Sequence, residues 1–416
     1  MPLPQADATF AAFGADEVAL GRLLFYDPVL SGSREVSCAT CHHPRMATAD
    51  GVSLGLGDGA SGLGRDRVVD PDNLPEVRIP RNAPALFNLG AAEFTVFFHD
   101  GRLEADPDKP HGIRTPLSDD MLAGFASALS AQAMFPVLSA DEMAGHYGEN
   151  DVAKAVRQGL LTGQGGAWDI IATRVSMIPE YRQRFDAVIG EGTEITFPAI
   201  SDALAAFIAQ EWRADQSPFD LYLREGKPLS EEAAAGMALF YGKADCAACH
   251  TGQFQTDHSF HAIAMPQIGP GKSARFESHA RDTGRMRVTG DPADAYAFRT
   301  PSLRNVALTA PYGHSGSFAT LRGVVLHHLD PVTSLESYDI SQAVLPPMDG
   351  AADDWFMQRR DEIAAVAAAN DLAPVRLNSR EVDQIIAFLH ALTDDTSLRA
   401  GSGVPVTVPS GLKVDQ

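Results

Sequence analysis

Two five-residue stretches decide how this sequence folds: Cys38-Ala39-Thr40-Cys41-His42 and Cys246-Ala247-Ala248-Cys249-His250. Each follows the pattern CxxCH, and together they use all four cysteines of the 416-residue chain. Two thiols three positions apart can add to the two vinyl groups of one haem, and the histidine that follows then lies under the iron as an axial ligand. The sequence therefore predicts two covalently bound c-type haems, one at each stretch.

Zinc is the main alternative for these cysteines, since two CxxC pairs could supply a four-thiolate site. Zinc does not require a histidine after each pair, and it does not explain why similar helical residues precede both motifs. A thioredoxin-like redox pair would occur once, near a βαβ pattern that this sequence lacks. We therefore favour haem. Covalent haem attachment takes place outside the cytoplasm, which predicts a periplasmic protein.

A weak internal repeat surrounds the two motifs. The first copy is preceded by GRLLFY at Gly21–Tyr26, and the second by GMALFY at Gly236–Tyr241. Both read as a short helix that ends in an aromatic pair, and two such modules about 200 residues apart predict duplicated domains. Pro218, Gly226 and Pro228 mark a break between them. We place the domains at residues 1–224 and 225–416.

Helical patterns flank these modules. Ile200–Trp212 has apolar residues at helical spacing, and Ser230 is predicted to cap the helix that leads to the second motif. A late helix is predicted to begin at Asn378, with Glu381 completing a capping box. Its apolar stripe, typical of core packing, consists of Val382, Ile385, Ile386, Leu389 and Leu392.

The remaining segments read as loops. Residues 51–80 and 265–320 are rich in Gly, Pro, Asp and Arg, and long loops of this kind are usually functional or held by a ligand. The tail Gly401–Gln416 is predicted to be frayed.

The composition limits the partners. The chain has 33 Lys+Arg against 54 Asp+Glu, a formal net charge of −21. This balance argues against nucleic acid and against an anionic membrane surface as partners. The longest uncharged run, Met121–Ala140, contains serines, a glutamine and a proline, so we expect no membrane span. The first cationic residue is Arg22, and no signal peptide is expected in this chain.

The sixth coordination position of each iron is either open or filled by a second axial ligand. Residues 47–98 contain no His, Met or Tyr, so the first iron is expected to be open, as peroxide or oxygen chemistry requires. The second iron has many candidate ligands, and sequence spacing does not choose among them. They are His258, His261, Met265, His279, Met286, His314, His327, His328 and Met348.

Four stretches together resemble the bacterial di-haem cytochrome c peroxidase and MauG superfamily. They occur in the order and approximate spacing of that family. They read LGRLLFYDPVLSGSREVSCATCH (20–42), RNAPALFNLG (81–90), FFHDGR (97–102) and FRTPSLRNVALTAPYGHSGSFATLRGVV (298–325).

The resemblance implies a mainly α fold, with two cytochrome c-like haem domains, long loops and little β structure. It further implies that the first haem reacts with hydrogen peroxide and that the second relays electrons. A calcium ion between the domains is also implied. The matching calcium ligands are the side chain of Asn82 and the carbonyls of Thr309 and Pro311.

The family's second distal ligand lies seventeen positions after the proline that matches Pro311, and in this sequence that position is His328. The family has Met there in the peroxidases and Tyr in MauG, so this chain departs from both. The departure suggests an iron held by His250 and His328, and a second His should leave its potential lower than Met would. The alternative is that His327 and His328 are ordinary surface or core histidines.

Other positions depart from the family as well. In the peroxidases a loop histidine blocks the first haem at rest. The matching position in this sequence falls near Asp58, where no histidine occurs, and in this respect the chain resembles MauG. The tryptophan between the haems corresponds to His99, so a relay role there is in question. The distal Gln and Glu of the family are best matched by His111 and Asp120, although Asp119 and Asp120 equally fit a helix cap before Met121. Arg22 and Arg102 face haem propionates or structural carboxylates; the sequence does not separate these options.

These features predict an enzyme that uses hydrogen peroxide, with a distal acid–base group that assists cleavage of the O–O bond. The open first site and the absence of Met at the second favour MauG-like oxidation of a side chain on a partner protein. The first alternative is peroxide removal with electrons from a small cytochrome c or cupredoxin. The second is an electron carrier without catalytic activity, which would need a sixth ligand on the first iron.

Overall fold

A computed structural model describes residues 9–146, 148–272, 280–398 and 403–416. In these ranges the chain is mostly helix and loop, as predicted, with a few strands of two or three residues. The α-helices are α1 (Ala15–Tyr26), α2 (Cys38–Cys41), α3 (Ala128–Gln132), α4 (Asp151–Arg157), α5 (Ala167–Ser176), α6 (Pro179–Ile189), α7 (Phe197–Glu211), α8 (Pro218–Glu225), α9 (Glu231–Phe240), α10 (Met286–Thr289), α11 (Leu321–Leu329), α12 (Pro331–Glu336), α13 (Arg360–Ala368) and α14 (Ser379–His390).

The strands form three small antiparallel sheets that pin loops in place rather than build a core. The first pairs β1 with β2, the second has the order β3-β4-β5, and the third pairs β6 with β7. In the third sheet Phe260 lies opposite Arg299, and His261 opposite Phe298. The strands are β1 (Ala60–Ser61), β2 (Val68–Val69), β3 (Val96–Phe97), β4 (Leu103–Ala105), β5 (Ile113–Arg114), β6 (Phe260–His261) and β7 (Phe298–Arg299).

The internal repeat corresponds to two similar helix pairs, α1 with α7 and α9 with α14. In each pair the glycine of the repeated sequence is the point of closest approach. A Cβ built at Gly21 would overlap the carbonyl of Ala203, and one built at Gly236 would overlap the carbonyl of Gln384. Glycine is therefore required at both positions because the backbone of the facing helix occupies the space of a side chain.

Substituting Gly21 with alanine is expected to lower the free energy of unfolding by about 1–3 kcal/mol or more, because the added methyl group must push α1 away from α7. Chemical denaturation followed by circular dichroism measures the effect. Gly14→Ala is the matched control, since the nearest atom to a Cβ there is 4.0 Å away and the loss of glycine at this N-cap should cost no more than about 1 kcal/mol. Equal stability of the two variants would contradict the close packing described here.

Helix ends follow the predicted capping signals. Ser230 caps α9 by accepting the N–H of Ala233, and Asn378 forms a reciprocal capping box with Glu381 at the start of α14. The buried members of the predicted apolar stripe are Val382, Ile385, Leu389 and Leu392, whereas Ile386 is partly exposed.

The segment predicted as a break after Trp212 contains a helix of its own. Ser217 and Asp220 form a capping box that starts α8, and Gly226 ends it in the left-handed conformation. The prediction missed α8 because Pro218 was read as a breaker. At the first position of a helix, however, proline costs nothing, since the N–H it lacks has no partner there in any case.

The apolar core consists mainly of two clusters. The larger is built mostly from residues 20–214 and the smaller mostly from residues 219–392. Each cluster also receives buried side chains from the other half: Phe254, Val408 and Val414 pack in the first, and Leu54 packs in the second. A domain boundary near residue 225 remains a prediction.

The C-terminal tail is ordered over residues 403–416, contrary to the frayed end expected from the sequence, while Gly401 and Ser402 lie outside the described residues. It runs back over the first half of the chain. Val408 and Val414 are buried in the first cluster, and Ser410 donates to the Asp27 carboxylate at 2.6 Å. The prediction failed because these two valines have no periodic pattern, and only the tertiary fold shows the surface that they cover.

Arg22 takes part in the same contact, because its guanidinium donates to the carbonyl of Gly403 at 2.7 Å. Among the described residues, no helix combines the length and the apolar character that crossing a lipid bilayer requires.

Candidate active site

Both CxxCH stretches form a single tight turn that presents its thiols on one side. In the first, α2 starts with a capping box in which Ser37 and Thr40 bond reciprocally. In the second, Cys246 begins a short 3₁₀ turn. The four cysteines form no disulfide, and burial raises the pKa of Cys38, Cys41 and Cys246 to about 12. The four thiols are thus free of disulfide bonds, as addition to haem vinyl groups requires.

The histidines of the two motifs are oriented in the same way. The Nδ1 of His42 lies 3.0 Å from the carbonyl oxygen of Thr48, and that of His250 lies 3.1 Å from the carbonyl oxygen of Gln255. A histidine whose Nδ1–H donates to a carbonyl presents Nε2 to a metal. Burial lowers the pKa of both rings, to about 4 for His250, so both are neutral and can act as ligands.

His328 faces His250 from α11. Its ring centroid is 6.2 Å from that of His250, and its Nδ1 lies 2.8 Å from the carbonyl oxygen of Val324 in the preceding turn. Metal–imidazole bonds are about 2 Å long, so two imidazoles on opposite sides of one metal have centroids roughly 6 Å apart. The spacing and the free Nε2 atoms fit one iron between the two rings.

The neighbouring His327 is a core histidine. It is fully buried, with Nδ1 at 3.0 Å from the Ser334 hydroxyl and Nε2 at 2.8 Å from the Ile263 carbonyl. Both ring nitrogens are occupied, so none is left for a metal. His327 is therefore not available as a ligand, and ligation by His328 remains a prediction.

Two other candidate ligands are paired with carboxylates. His258 lies 3.1 Å from Glu93, and His261 lies 2.8 Å from Asp257. His279 lies outside the described residues.

A carboxylate that the sequence analysis did not single out, Glu142, lies close to the first site. It lies in a π-helix, Ala140–Ala144, a rare conformation that is frequent at functional sites. Burial lowers the pKa of His42, and the Glu142 carboxylate opposes this effect. The same carboxylate acts on Cys41 and on Arg102. Glu142 is therefore a carboxylate close to the first CxxCH site, as is Asp50, which also acts on Cys41.

Arg102, on which the Glu142 carboxylate acts, and Gln132 are further polar groups of the first half of the chain. The guanidinium of Arg102 stacks over the ring of Phe98 at 3.5 Å, and lies 5.8 Å from the ring of Phe135. It donates to Asp100 at 3.2 Å, so its partner is a structural carboxylate. Gln132, one turn before Phe135, has a buried side-chain oxygen with no hydrogen-bond partner. An unpaired buried amide oxygen is costly, and this one is available to a ligand.

Asp120 and His111, the residues predicted for the distal side, are both exposed. Asp120 lies in the first turn of a 3₁₀ helix, Asp119–Leu122. This agrees with the alternative interpretation, in which Asp119 and Asp120 belong to the start of a helix. The structure does not show either residue beside His42. Gln132 and Glu142 also follow the DGR motif. A search farther along the chain for a Gln followed by a Glu, the order that the resemblance implies, would have found them in the sequence.

Several hydrogen bonds hold Asp58, the residue near the position that the sequence analysis matched to the blocking histidine of the peroxidases. Asp58 is 1% exposed and accepts hydrogen bonds from Ser33 at 2.5 Å and from Asn73 at 3.4 Å. Its backbone N–H donates to the carbonyl of Glu142 at 3.1 Å. The loop at Asp58 therefore packs against the π-helix, and its side chain is engaged by neighbours.

His99 and Asn82 connect the two halves of the chain. The Nε2 of His99 lies 3.0 Å from the carbonyl oxygen of Asn82, and the Asn82 N–H donates to the carbonyl of His314 at 2.9 Å. The Asn82 amide nitrogen donates to the carbonyls of Val52 and Ser53 at 2.8 and 3.3 Å. This leaves its side-chain oxygen available to a cation, as the predicted calcium site would need. Calcium binding by Asn82, Thr309 and Pro311 remains a prediction.

Two haem-attachment turns in a mainly helical chain, each with a partly buried histidine, define a di-haem c-type protein. Residues 15–228 match the family model described as di-haem cytochrome c peroxidase. The chain belongs to this family, whose members carry two haems.

Known relatives fall on both branches of the family. The chain is 31% identical over 317 residues to the methylamine utilization protein MauG of Methylorubrum extorquens, covering 76% of this chain and 69% of that protein. It is 29% identical over 312 residues to cytochrome c551 peroxidase of Nitrosomonas europaea, covering 75% and 72%. A crystal structure of a MauG-like protein associated with microbial copper homeostasis aligns with a TM-score of 0.61 at 26% identity, covering 96% and 95% of the two chains.

Proposed function

We propose that this protein is a periplasmic di-haem enzyme that reacts with hydrogen peroxide at the His42 site and holds its second iron between His250 and His328. The observation that carries the proposal is the asymmetry of the two sites. His250 faces a second imidazole at 6.2 Å, whereas no imidazole in the described part of the chain forms such a pair with His42. One site is built for electron relay and the other for a reactant.

When bound, the haem at His42 supplies the redox-active Lewis acid to which peroxide binds. The residues of the chain position and protonate the reactant. The Thr48 carbonyl holds the His42 ring in one tautomer. The Glu142 carboxylate accepts a proton from one peroxide oxygen and returns it to the other, which leaves as water. Gln132 supplies an acceptor that orients the peroxide O–H.

We further propose that the oxidising power is used on a side chain of a partner protein, as in the MauG branch. His328 in place of a methionine supports this, because a second axial imidazole lowers the potential of the relay iron relative to methionine. The hydrogen bonds from Ser33 and Asn73 to Asp58 also support this proposal. They fix the loop that corresponds to the one carrying the blocking histidine in the peroxidases.

The second candidate is a peroxidase that takes electrons from a small cytochrome c or cupredoxin, and the similarity to cytochrome c551 peroxidase favours it. A third, an electron carrier without catalytic activity, requires a sixth ligand on the first iron. The acidic surface of the chain, with a net charge of −21, suits a redox protein with a basic docking face rather than nucleic acid.

Two measurements on the holoprotein test these proposals. The resting ferric spectrum should show one high-spin and one low-spin haem, and two low-spin haems would overturn the open site. Peroxide is then added with and without reduced cytochrome c or cupredoxin. We expect slow oxidation of these donors, and rapid turnover would replace the protein-modifying proposal with the peroxidase one.

A further inference from the structure

An apolar cleft of about 360 Å³ opens at the surface between a loop of the first half and a loop of the second half of the chain. Its apolar walls are Val68, Val69, Leu74 and Pro75 from the first half and Pro347 and Met348 from the second. Val68 is 65% exposed and Leu74 is 64% exposed, although side chains of both types are usually buried. Exposed apolar patches that are rimmed by polar residues mark sites of protein interaction.

Hydrogen bonds hold the first-half wall of this cleft in place. Arg67 lines the cleft but is itself buried, and its guanidinium donates to the backbone carbonyls of Leu56, Gly57 and Gly62. Strand β2, which carries Val68, pairs with β1. The exposed apolar side chains therefore project from an ordered backbone, which lowers the entropy cost of binding a partner.

The same wall lies close to the His42 site. The carbonyl of Gly57 accepts from Arg67, and a Cβ built at Gly57 would come within 2.6 Å of the carbonyl oxygen of Glu142 in the π-helix. Burial raises the pKa of the Cys41 thiol, and the charge of Arg67 opposes this effect. A protein bound in the cleft would therefore lie on the side of the molecule that carries the first haem-attachment turn.

The charges around the cleft indicate which partner it fits. Asp66 and Asp72 are exposed on the first-half loop, and Asp349 is exposed in the second-half wall. None of these three carboxylates forms an ion pair with another described residue, and Arg65 is the exposed cation of the loop. A second copy of this chain would bring its own carboxylates to the interface, where like charges are costly. A partner with a basic rim is complementary.

We propose that this cleft docks a small redox protein that carries lysines and arginines around an apolar contact face. The inference rests on the proposed function, since it gives the contact face for the partner that the function requires. The apolar walls supply the desolvated centre of the interface, and the carboxylates around them speed association and orient the partner.

A small basic cytochrome c is the probe, and isothermal titration calorimetry measures its affinity for the holoprotein with both proteins oxidised and without peroxide. Leu74→Ser should raise Kd about tenfold, as expected for a residue at the centre of an interface. Leu160→Ser is the matched control, since Leu160 is 52% exposed and lies outside the cleft. Equal affinities of the two variants, or no binding of the cytochrome to the parent protein, would overturn the inference.

The charge of the partner is tested by the dependence of Kd on salt. The double variant Asp72→Asn, Asp349→Asn should show a weaker salt dependence than the parent protein, because two charges of the contact are removed. Glu191→Gln, which neutralises an exposed carboxylate outside the cleft, should not. Equal salt dependence of these variants would overturn the inference that the partner is basic.

Sedimentation velocity tests the other occupant of the cleft. A dimer of the parent protein that Leu74→Ser disrupts and Leu160→Ser preserves would assign the cleft to a second copy of the chain and overturn the inference. A parent protein that binds the cytochrome but does not react with peroxide would refute the proposed function and leave the docking result valid. A parent that reacts with peroxide, and whose affinity Leu74→Ser leaves unchanged, would overturn the docking inference alone.

Discussion

The His328→Ala protein is expected to lose the low-spin ferric signal of one haem and to show two high-spin haems. The physical reason is that the His250 and His328 rings face each other at 6.2 Å with their Nε2 atoms free, so removal of one ring leaves the iron with a single strong axial ligand. Electron paramagnetic resonance and the visible spectrum of the resting protein measure the change. The His328→Met protein should regain a low-spin haem at a higher potential.

His327→Asn is the control for this experiment. Its ring nitrogens bond Ser334 and Ile263, so the substitution should reduce stability without changing the spin state of either haem. A His328→Ala protein that retains its low-spin signal would show that another residue ligates the second iron. Loss of that signal in His327→Asn alone would point to the neighbouring ring instead.

The Glu142→Gln protein is expected to react with hydrogen peroxide about 10²–10⁴-fold more slowly, the usual effect of removing a general acid–base group. Glutamine keeps the size and polarity of the side chain but does not exchange a proton. Stopped-flow absorbance after mixing with peroxide measures the rate constant. Haem content and resting spectra should be unchanged, because Glu142 is not proposed to bind iron.

Asp120→Asn is the control, since Asp120 is the distal carboxylate that sequence reasoning favoured. Asp120 is exposed on a 3₁₀ turn, so we expect its rate constant to equal that of the parent. A large loss in Asp120→Asn, with Glu142→Gln unaffected, would reverse the assignment. Equal rates in all three proteins would mean that the proton is moved by neither carboxylate.

Much of the fold could be predicted because its signals are local. The helix pairs follow from a repeated glycine and aromatic pair, and Asn378 with Glu381 marks the start of α14 within four residues of sequence. The tail could not be predicted in this way. Its contacts join Ser410 to Asp27 and Thr40 to Asp415, and hydrogen bonds over such separations leave no periodic trace in the chain.

The residues of the candidate site likewise include some that the sequence could predict and others that it could not. The sequence named His328 rather than His327 through a position count, and the structure adds a physical reason: both ring nitrogens of His327 are hydrogen-bonded. It missed Glu142 because a π-helix is not visible in a hydrophobic pattern.

The sequence by itself determined that this protein attaches two haems, because CxxCH brings two thiols and a histidine together within one turn of chain. Only the tertiary structure decided which groups lie opposite those histidines. His328 lies across from His250, and Glu142 comes close enough to affect the pKa of His42. The physical reason is that the attachment residues and the histidine on one side of each iron come from a single turn of the chain. The opposite side of the iron is closed or left open by segments that are distant in sequence and that only folding brings together.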